Sequence, residues 1–173
     1  MSMKHVMLTS QEVGDLLLTN VRENDIQPNA VDLRVDKIFV MNNAVFSIDE
    51  TAKAHRGSTE IHPDQSGYWN LNPGTYEIIM ENQVKIPSGY AGWVITRSTL
   101  NRNGLWLSSG LYDSGYEGVM AGALHVEHGL ARIQKGTRVG QFIMFEADTV
   151  SMYEGDYGTG SEHDKKYGEV DGD

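Results

Sequence analysis

The N-terminal part of the chain carries the pattern of a short amphipathic helix. Thr9 is followed three residues later by Glu12, which is the spacing of a capping box. Apolar residues then recur between Val13 and Leu17 at the spacing that places side chains on one face of a helix. The pattern predicts a helix over residues 10 to about 19, and we expect it to be the only sizeable helix.

From Val31 onward the apolar residues come in short runs that are rich in Val, Ile, Phe, Tyr and Trp. Such runs are typical of strands, because β-branched and aromatic side chains pack well on a pleated surface. Clusters of Gly, Pro, Asn and Ser separate the runs at about the spacing found in β-sandwiches and barrels. We therefore expect a mainly β fold, with strands over residues 33–40, 75–80, 92–95, 104–107 and 139–145.

Two segments lack this pattern. Residues 49–67 are polar and without periodicity, and they indicate a long loop. After Tyr153 the chain consists largely of Gly, Asp, Glu, Lys and Tyr, so we expect it to bury nothing and to be mobile without a ligand. The sequence thus predicts one domain over residues 1–153 and a flexible, acidic, Gly-containing C-terminal arm over residues 154–173.

The charge of the chain argues against a nucleic-acid partner. The 173 residues include 14 Lys and Arg against 24 Asp and Glu, which gives a formal net charge of −10. A broad basic surface for a phosphate backbone is therefore disfavoured, whereas a small anionic ligand that travels with a divalent cation remains compatible. The chain has no cysteine, which excludes disulfides, thiol nucleophiles and thiolate zinc sites.

Hydropathy gives no sign of a membrane or a secretory protein. No run approaches the roughly 20 apolar residues that cross a bilayer, and residues 1–10 lack the apolar core of a signal peptide. We expect a protein without a membrane partner that acts in the cytoplasm, or in the host cytoplasm if the chain is viral.

Residues 96–118 contain the side chains best suited to chemistry. Arg97 offers a planar fork of donors for phosphate oxygens, and Ser98 adds a hydroxyl beside it; the same residues also suit an ordinary exposed strand end. Asp113 lies in a turn, where a carboxylate either bonds its own backbone or orients and deprotonates a water. Tyr116 would offer a flat surface for a sugar or a base. The spacing alone leaves both alternatives open.

The sequence also contains four motifs whose order along the chain is more specific than any one of them. They read QPNAVDLRV over residues 27–35, RSTL over 97–100, LYDSGYEG over 111–118 and GTRVGQ over 136–141. In this order they resemble the first four motifs of the dUTPase and dCTP deaminase superfamily, and the resemblance is closest to the archaeal-type dUTPases. It covers roughly residues 8–158, including the opening helix.

The resemblance implies a distorted β-barrel of jelly-roll type with one short N-terminal helix. It also implies a homotrimer whose active sites lie between subunits. The reaction it implies is hydrolysis of dUTP to dUMP and pyrophosphate, with a water attacking the α-phosphorus.

The resemblance also implies roles for individual residues. Asp113 matches the carboxylate that activates the water. The substrate-contacting positions form three groups. The first contacts phosphate, the second lies on the hairpin whose backbone groups bind uracil, and the third is an aromatic residue that stacks on the deoxyribose. In that order they are Arg97, Ser98 and Gln141, then Ser108, Gly110 and Leu111, then Tyr116; Thr99, beside Ser98, is a further substrate-binding candidate.

The implied metal is Mg²⁺, held chiefly by the three phosphates and by water, because Mg²⁺ dehydrates reluctantly and seldom has an all-protein cage. Asp32 matches the aspartate of the first motif, which supports the site and the metal-bound waters. A cation of this kind also explains how an acidic chain binds a highly anionic nucleotide.

A dCTP deaminase, or a bifunctional enzyme, is the nearest alternative. The deaminases carry a glutamate in the strand after the third motif, and its place is taken here by Ala123, which cannot transfer a proton. Glu127 keeps the alternative open if the strand is offset. A non-catalytic nucleotide-binding regulator is a further alternative, which the presence of Asp113 disfavours.

The C-terminal arm does not match the fifth motif of trimeric dUTPases in its order of residues. Glycines, lysines and aromatics are nevertheless present over residues 157–168. An arm that closes over the nucleotide is a hypothesis, in which either Tyr157 or Tyr167 would stack on the base.

Overall fold

The computed structural model describes residues 2–168, and it is mainly β, as the sequence predicts. Twelve strands lie within this range: β1 Met3–Lys4, β2 Val31–Met41, β3 Ser47–Ile48, β4 Lys53–Ala54, β5 Ser58–Ile61, β6 Tyr68–Leu71, β7 Gly74–Lys85, β8 Tyr90–Thr96, β9 Leu105–Ser108, β10 Glu117–Val126, β11 Ala131–Gln134 and β12 Arg138–Glu146. Residues 169–173 of the predicted arm lie outside the described residues.

One curled sheet forms a distorted barrel. Its strands run in the order β1-β12-β2-β7-β10-β9, while β5 pairs with β2 and β8 pairs with β12. Alternate side chains of these strands point into one apolar core, where Leu33, Ile78, Leu124 and Phe142 have no solvent exposure. The predicted barrel with an apolar interior is thus confirmed.

All five predicted strands are present; four extend beyond their apolar runs at both ends, whereas β9 begins one residue later than predicted, at Leu105, and ends at Ser108. The strand β10 is not apparent from the sequence because its Gly and Ala residues have low strand propensity. Its small residues have a structural reason at Gly122, where an added Cβ would lie 2.5 Å from the carbonyl oxygen of Ser108 on the neighbouring strand. At Gly122 the backbone of β9 therefore lies against the backbone of β10, with no side chain between them.

The N-terminal helix is present, but its predicted bounds are wrong. The helix α1 spans Val6–Val13, and its cap is His5, whose Nδ1 accepts a hydrogen bond from the backbone N–H of Met7 at 3.2 Å. Gly14 ends the helix in the left-handed conformation, with φ of 72°. Thr9, expected as the cap, is instead buried inside the helix. Within the described residues, no helix is long and apolar enough to cross a membrane.

The polar segment 49–67 is only partly a loop. The strands β3 and β4 form a small hairpin of their own, and β5 pairs antiparallel with β2. The pairing of β5 could not be read from its sequence, STEI, because a strand at the side of a sheet need not alternate apolar and polar residues.

The described part of the C-terminal arm folds back onto the barrel. It ends in a 3-10 helix, His163–Tyr167, and the side chain of Tyr167 is only 4% exposed. Tyr167 packs with Phe39, Ile79 and Val119 on the outer face of the sheet. The expectation that this segment buries nothing is therefore wrong, because one aromatic side chain is enough to dock it.

Candidate functional site

Asp32 lies at the centre of a polar cluster that joins the first, second and fourth motifs. Gln141 is directly opposite Asp32 across the β2–β12 pair, and its Nε2 donates to Oδ1 of Asp32 at 2.9 Å. Arg138 Nη1 and Arg97 Nε each lie 3.3 Å from Oδ2. We call these four residues the Asp32 cluster.

The Asp32 carboxylate is fully buried, whereas its two arginine partners keep about a third of their side-chain surface exposed. A buried carboxylate with both oxygens paired fixes its donors in position, and its removal would leave them uncompensated. The arginines thus keep part of their guanidinium groups toward solvent while Asp32 holds the other part. This arrangement presents fixed positive charge to an anion.

A polar hollow beside the cluster, which we call the basic pocket, collects more positive charge. Its volume is about 560 Å³ and its cationic lining side chains are Arg22, Arg34, Arg97, Lys135 and Arg138, with Glu81 as an acidic member. Behind it the fully buried carboxylate of Asp25 accepts from Arg34 Nη2 at 2.6 Å, and this hydrogen bond raises the pKa of Arg34. Planar guanidinium groups in this density suit a ligand with several phosphate oxygens.

Ser98 and Thr99 open a single helical turn, α2 Ser98–Asn101, immediately after Arg97. Both side chains are exposed. Ser98 is adjacent in sequence to the Asp32 cluster, whereas Thr99 lines a different surface hollow together with Leu100 and Leu105. That hollow shares Gln134 and Thr137 with the basic pocket, so Thr99 lies on an adjoining surface, and its contact with the substrate stays a prediction.

A second hollow, which we call the hairpin cavity, lies beside the turn between β9 and β10. It has a volume of about 470 Å³. From the barrel it is lined by Gly110, Leu111, Tyr112, Tyr116, Ala121, Gly122 and Glu77. Three of the predicted hairpin and aromatic residues thus meet at one cavity. Ser108 does not line it, since its hydroxyl faces His125 Nε2 at 3.5 Å.

Two tyrosines give the hairpin cavity a rigid aromatic wall. The hydroxyl of Tyr112 donates to the carbonyl of Ala121 at 3.0 Å and accepts from its N–H at 3.1 Å, and the hydroxyl of Tyr116 donates to the carbonyl of Val119 at 2.7 Å. Their ring centroids are 5.1 Å apart. Burial raises the pKa of both phenols, so they stay neutral at physiological pH.

Asp113 lies between these tyrosines in sequence but points to solvent. Its carbonyl accepts the N–H of Tyr116 at 3.0 Å, which closes the turn. Its carboxylate makes no hydrogen bond or ion pair with any described residue. It lines a hollow that shares Leu111 with the hairpin cavity. The backbone-bonding alternative for Asp113 is thus not realised, and the side chain is available to a water or a ligand.

The C-terminal arm forms the opposite wall of the hairpin cavity. Tyr157, His163, Asp164 and Tyr167 line the cavity from this side. The arm lies very close to the start of β10, where the N–H of Thr159 donates to the carbonyl of Glu117 at 2.8 Å. The cavity stays open with the arm docked, so the arm is a wall of the cavity and does not fill it.

Ala123 occupies a fixed register in the middle of β10. It is paired with Ser108 on one side and with Glu77 on the other. Glu127 is not a substitute for a carboxylate at this position, because β10 ends at Val126 and Glu127 lies beyond it, where it accepts from Trp106 Nε1 at 3.3 Å. Glu127 therefore lies outside the strand, while β10 itself has a register irregularity between Val119 and Ala121.

Three residues contribute to these sites without having been predicted from the sequence. Arg138 belongs to the GTRVGQ motif but had no assigned role, and Arg34 follows the motif aspartate by two positions; their guanidinium groups were the available signal. Glu77, which lines the hairpin cavity, stands in an ordinary strand pattern and offered no signal.

Among residues 2–168 no group of three or more His, Asp or Glu could hold a metal ion by itself. Both oxygens of Asp32 are taken by side-chain donors. A divalent cation is therefore compatible with this site only if its ligands come mainly from phosphate and water. The role of Asp32 toward metal-bound water stays a prediction.

Comparison with known proteins identifies related chains. A family model described as dCTP deaminase-like matches residues 4–147. A curated Aeropyrum pernix protein named probable deoxyuridine 5'-triphosphate nucleotidohydrolase is 35% identical over 136 residues, which cover 76% of this chain and 84% of that protein. The Methanocaldococcus jannaschii protein named deoxyuridine 5'-triphosphate nucleotidohydrolase is 32% identical over 154 residues, covering 87% and 98%.

A solved structure shares the fold. The crystal structure of 2'-deoxycytidine 5'-triphosphate deaminase from Agrobacterium tumefaciens superposes with a TM-score of 0.64 at 13% identity. The match covers 84% of this chain and 48% of that chain, so this chain spans about half the length of the deaminase. The likeness concerns the architecture of the barrel.

Proposed function

The chain belongs to the dCTP deaminase-like family, and from this we propose that it is a dUTP diphosphatase, which hydrolyses dUTP to dUMP and pyrophosphate. Curated relatives that cover most of both chains carry the name of that activity. Three features suit the parts of such a substrate. The exposed carboxylate of Asp113 suits the attacking water, the Asp32 cluster suits the phosphates, and the hairpin cavity suits the nucleoside.

The observation that carries the choice between hydrolysis and deamination is Ala123. Deamination of cytosine needs a group that moves protons at the ring, and a methyl side chain cannot do so. Glu77 lies across from Ala123, but its carboxylate is held by Ser58, Lys166 and Tyr167. Attack on a phosphorus atom needs no acid at this position, so the diphosphatase is favoured.

In the proposed reaction Asp113 accepts a proton from a water whose oxygen attacks the α-phosphorus. The new P–O bond forms as the bond to the bridging oxygen breaks, and pyrophosphate leaves. Arg97 and Gln141, with Ser98 beside them, contact the phosphates, and Arg138 adds a second guanidinium held by Asp32. Fixed donors of this kind stabilise the charge that redistributes in the transition state.

The hairpin cavity takes the nucleoside in this proposal. Gly110 and Leu111 present backbone groups to uracil, and the ring of Tyr116 packs on the deoxyribose. The short contact at Gly122 supports backbone recognition, because it keeps β9 and β10 too close for side chains to intervene. Tyr116 is held by its bond to Val119, so its ring cannot move aside for a 2'-hydroxyl.

Mg²⁺ is the proposed cofactor, bound through the phosphates and water. When bound, it neutralises phosphate charge and helps to orient the triphosphate. The chain's own contribution is the basic pocket, where, within residues 2–168, the five cations outnumber the four carboxylates paired with them, those of Asp25, Asp32, Asp36 and Glu81. Asp32 contributes by fixing the arginines that meet the phosphates.

We also propose a homotrimer with active sites between subunits. The basic pocket and the hairpin cavity share no lining residue within one chain. A nucleotide that uses both kinds of surface is accommodated if one copy supplies the phosphate contacts and a neighbouring copy supplies the nucleoside cavity. Sedimentation analysis of the purified chain distinguishes a trimer from a monomer.

The test of the proposed activity is a substrate panel. The purified protein is incubated with dUTP, dCTP, dTTP and UTP in the presence of Mg²⁺, and pyrophosphate and ammonia are measured in parallel. We expect pyrophosphate from dUTP alone and no ammonia. Release of ammonia from dCTP would indicate a deaminase. Binding of dUTP without turnover would indicate a regulatory protein.

A further inference from the structure

Glu77 occupies an unusual place for a carboxylate, in the middle of the sheet. It belongs to β7 and is paired with Phe39 of β2 and Ala123 of β10. Its side chain lines the hairpin cavity and is only 18% exposed. A half-buried carboxylate is costly unless donors satisfy it.

The donors that satisfy Glu77 come mostly from the C-terminal arm. The hydroxyl of Tyr167 donates to Oε1 at 2.5 Å, and Lys166 Nζ lies 2.9 Å from Oε1 and 3.0 Å from Oε2. The hydroxyl of Ser58 donates to Oε2 at 2.6 Å and also accepts from Lys166 at 3.2 Å. One carboxylate therefore connects β5, β7 and the arm.

The carboxylate is ionised in this arrangement. Burial opposes its ionisation, but the hydrogen bonds from Ser58, Tyr167 and Lys166 outweigh burial and hold the pKa of Glu77 below its usual value. Hydrogen bonds to an ionised acceptor are about twice as strong as neutral ones. Glu77 thus holds the arm more firmly than packing alone.

The two candidate aromatic residues of the arm differ in their burial and in their contacts with the sheet. Tyr167 is buried, packs edge-on against Phe39 at 5.9 Å, and its carbonyl accepts from Lys37 Nζ at 2.5 Å. Tyr157 is 41% exposed and lines the hairpin cavity. Its ring packs edge-on against His163 at 4.8 Å and has Lys53 Nζ at 5.1 Å from its centroid, so Tyr157 is held by the arm and the barrel surface and not by the sheet core.

We propose that Glu77 is the positioning residue that docks the C-terminal arm against the barrel as a wall of the hairpin cavity, with Tyr167 as the arm's anchor. The inference rests on the proposed function for the identity of the ligand. Docking itself requires only the contacts of Glu77. Loss of the anchor weakens nucleotide binding and leaves the bond-breaking step at Asp113 intact.

The first readout follows docking without catalysis. Trypsin binds an extended backbone, whereas Lys165 and Lys166 lie in a 3-10 helix, so we expect cleavage after them to require that the arm leaves the barrel. The cleavage rate follows the open population when opening is fast. We expect Glu77→Gln to be cleaved at least about tenfold faster, which corresponds to roughly 1.4 kcal/mol of docking free energy. Tyr167→Phe, which keeps the ring packing, should also be cleaved faster.

The matched control is Glu12→Gln, which removes a surface carboxylate on α1 far along the chain from the arm. It should be cleaved at the wild-type rate. Near-ultraviolet circular dichroism of each variant establishes that the barrel is folded. Cleavage of Glu77→Gln and Tyr167→Phe at the wild-type rate would overturn the anchor.

The second readout is the split between KM and kcat for dUTP. For Glu77→Gln we expect KM to rise about tenfold with kcat within about twofold, because the arm contributes to binding. A fall in kcat at unchanged KM would overturn the positioning role. If the wild-type protein does not turn over dUTP, the proposed function fails, whereas the cleavage result still decides whether Glu77 docks the arm.

Discussion

Replacing Asp32 with Asn perturbs the centre of the polar cluster with almost no change in volume. One carboxylate oxygen becomes an NH2 group that faces either Gln141 Nε2 or the two guanidinium groups, all of which are donors. A donor therefore meets a donor whichever way the amide is turned. The charge that holds Arg97 and Arg138 is lost at the same time.

The expected magnitude follows from burial. Removing one partner of a fully buried ion pair costs about 3–5 kcal/mol. Asp32 is fully buried, but the side chains of Arg97 and Arg138 are 27% and 32% exposed and can regain water. We therefore expect a loss of about 2–3 kcal/mol in the free energy of unfolding, which lowers Tm by roughly 5–10 °C in a domain of this size.

Differential scanning calorimetry at fixed protein concentration measures this loss, since association would make Tm depend on concentration. Steady-state kinetics with dUTP measures the second effect, a rise in KM, because Asp32 no longer orients Arg97. The control Glu12→Gln should shift Tm by about 2 °C or less. Asp32→Asn with wild-type Tm and wild-type KM would refute the reasoning that this carboxylate organises the phosphate contacts.

Other outcomes follow from the same geometry. Gly122→Ala would place a Cβ 2.5 Å from the Ser108 carbonyl oxygen, so we expect β9 to be displaced and dUTP affinity, measured by calorimetry, to fall at least about tenfold; unchanged affinity would contradict this. Asp113→Asn should bind dUTP and release no pyrophosphate, whereas full turnover would exclude Asp113 as the base. Because the folded pKa of Glu77 is lowered, its contribution to arm docking is present above the ordinary carboxyl value of 4.5 and is lost as pH falls below it. Hydrogen exchange at residues 158–168 should therefore speed up, relative to the intrinsic rate, as the pH falls below 4.5, and pH-independent protection would contradict the contact with Lys166.

The sequence predicts the strands well where side chains decide the structure. The run over residues 139–145 is rich in large apolar residues, and β12 Arg138–Glu146 contains it. The strand β10 could not be predicted from its small residues. The small side chain at Gly122 is required because the backbone of β9 lies close to it, and this contact exists only in the folded sheet. The helix was misplaced because His5 acts as its cap, a role that short polar side chains fill more often.

The residues of the candidate site could be predicted from the sequence, but the contacts between them could not. The motif order pointed to Asp32, Arg97 and Gln141, and the structure joins them through one carboxylate. The anchor of the arm could not be predicted, because Glu77 and Tyr167 are separated by 90 residues and neither stands in a motif. Only the folded chain brings them together.

The direct test of the central claim is hydrolysis of dUTP by the wild-type protein in water enriched in ¹⁸O, with both products analysed by mass spectrometry. We expect dUMP to carry one ¹⁸O for each turnover and pyrophosphate to carry none, because the water held by Asp113 attacks the α-phosphorus. Label in pyrophosphate would place the attack at another phosphorus and would contradict the account.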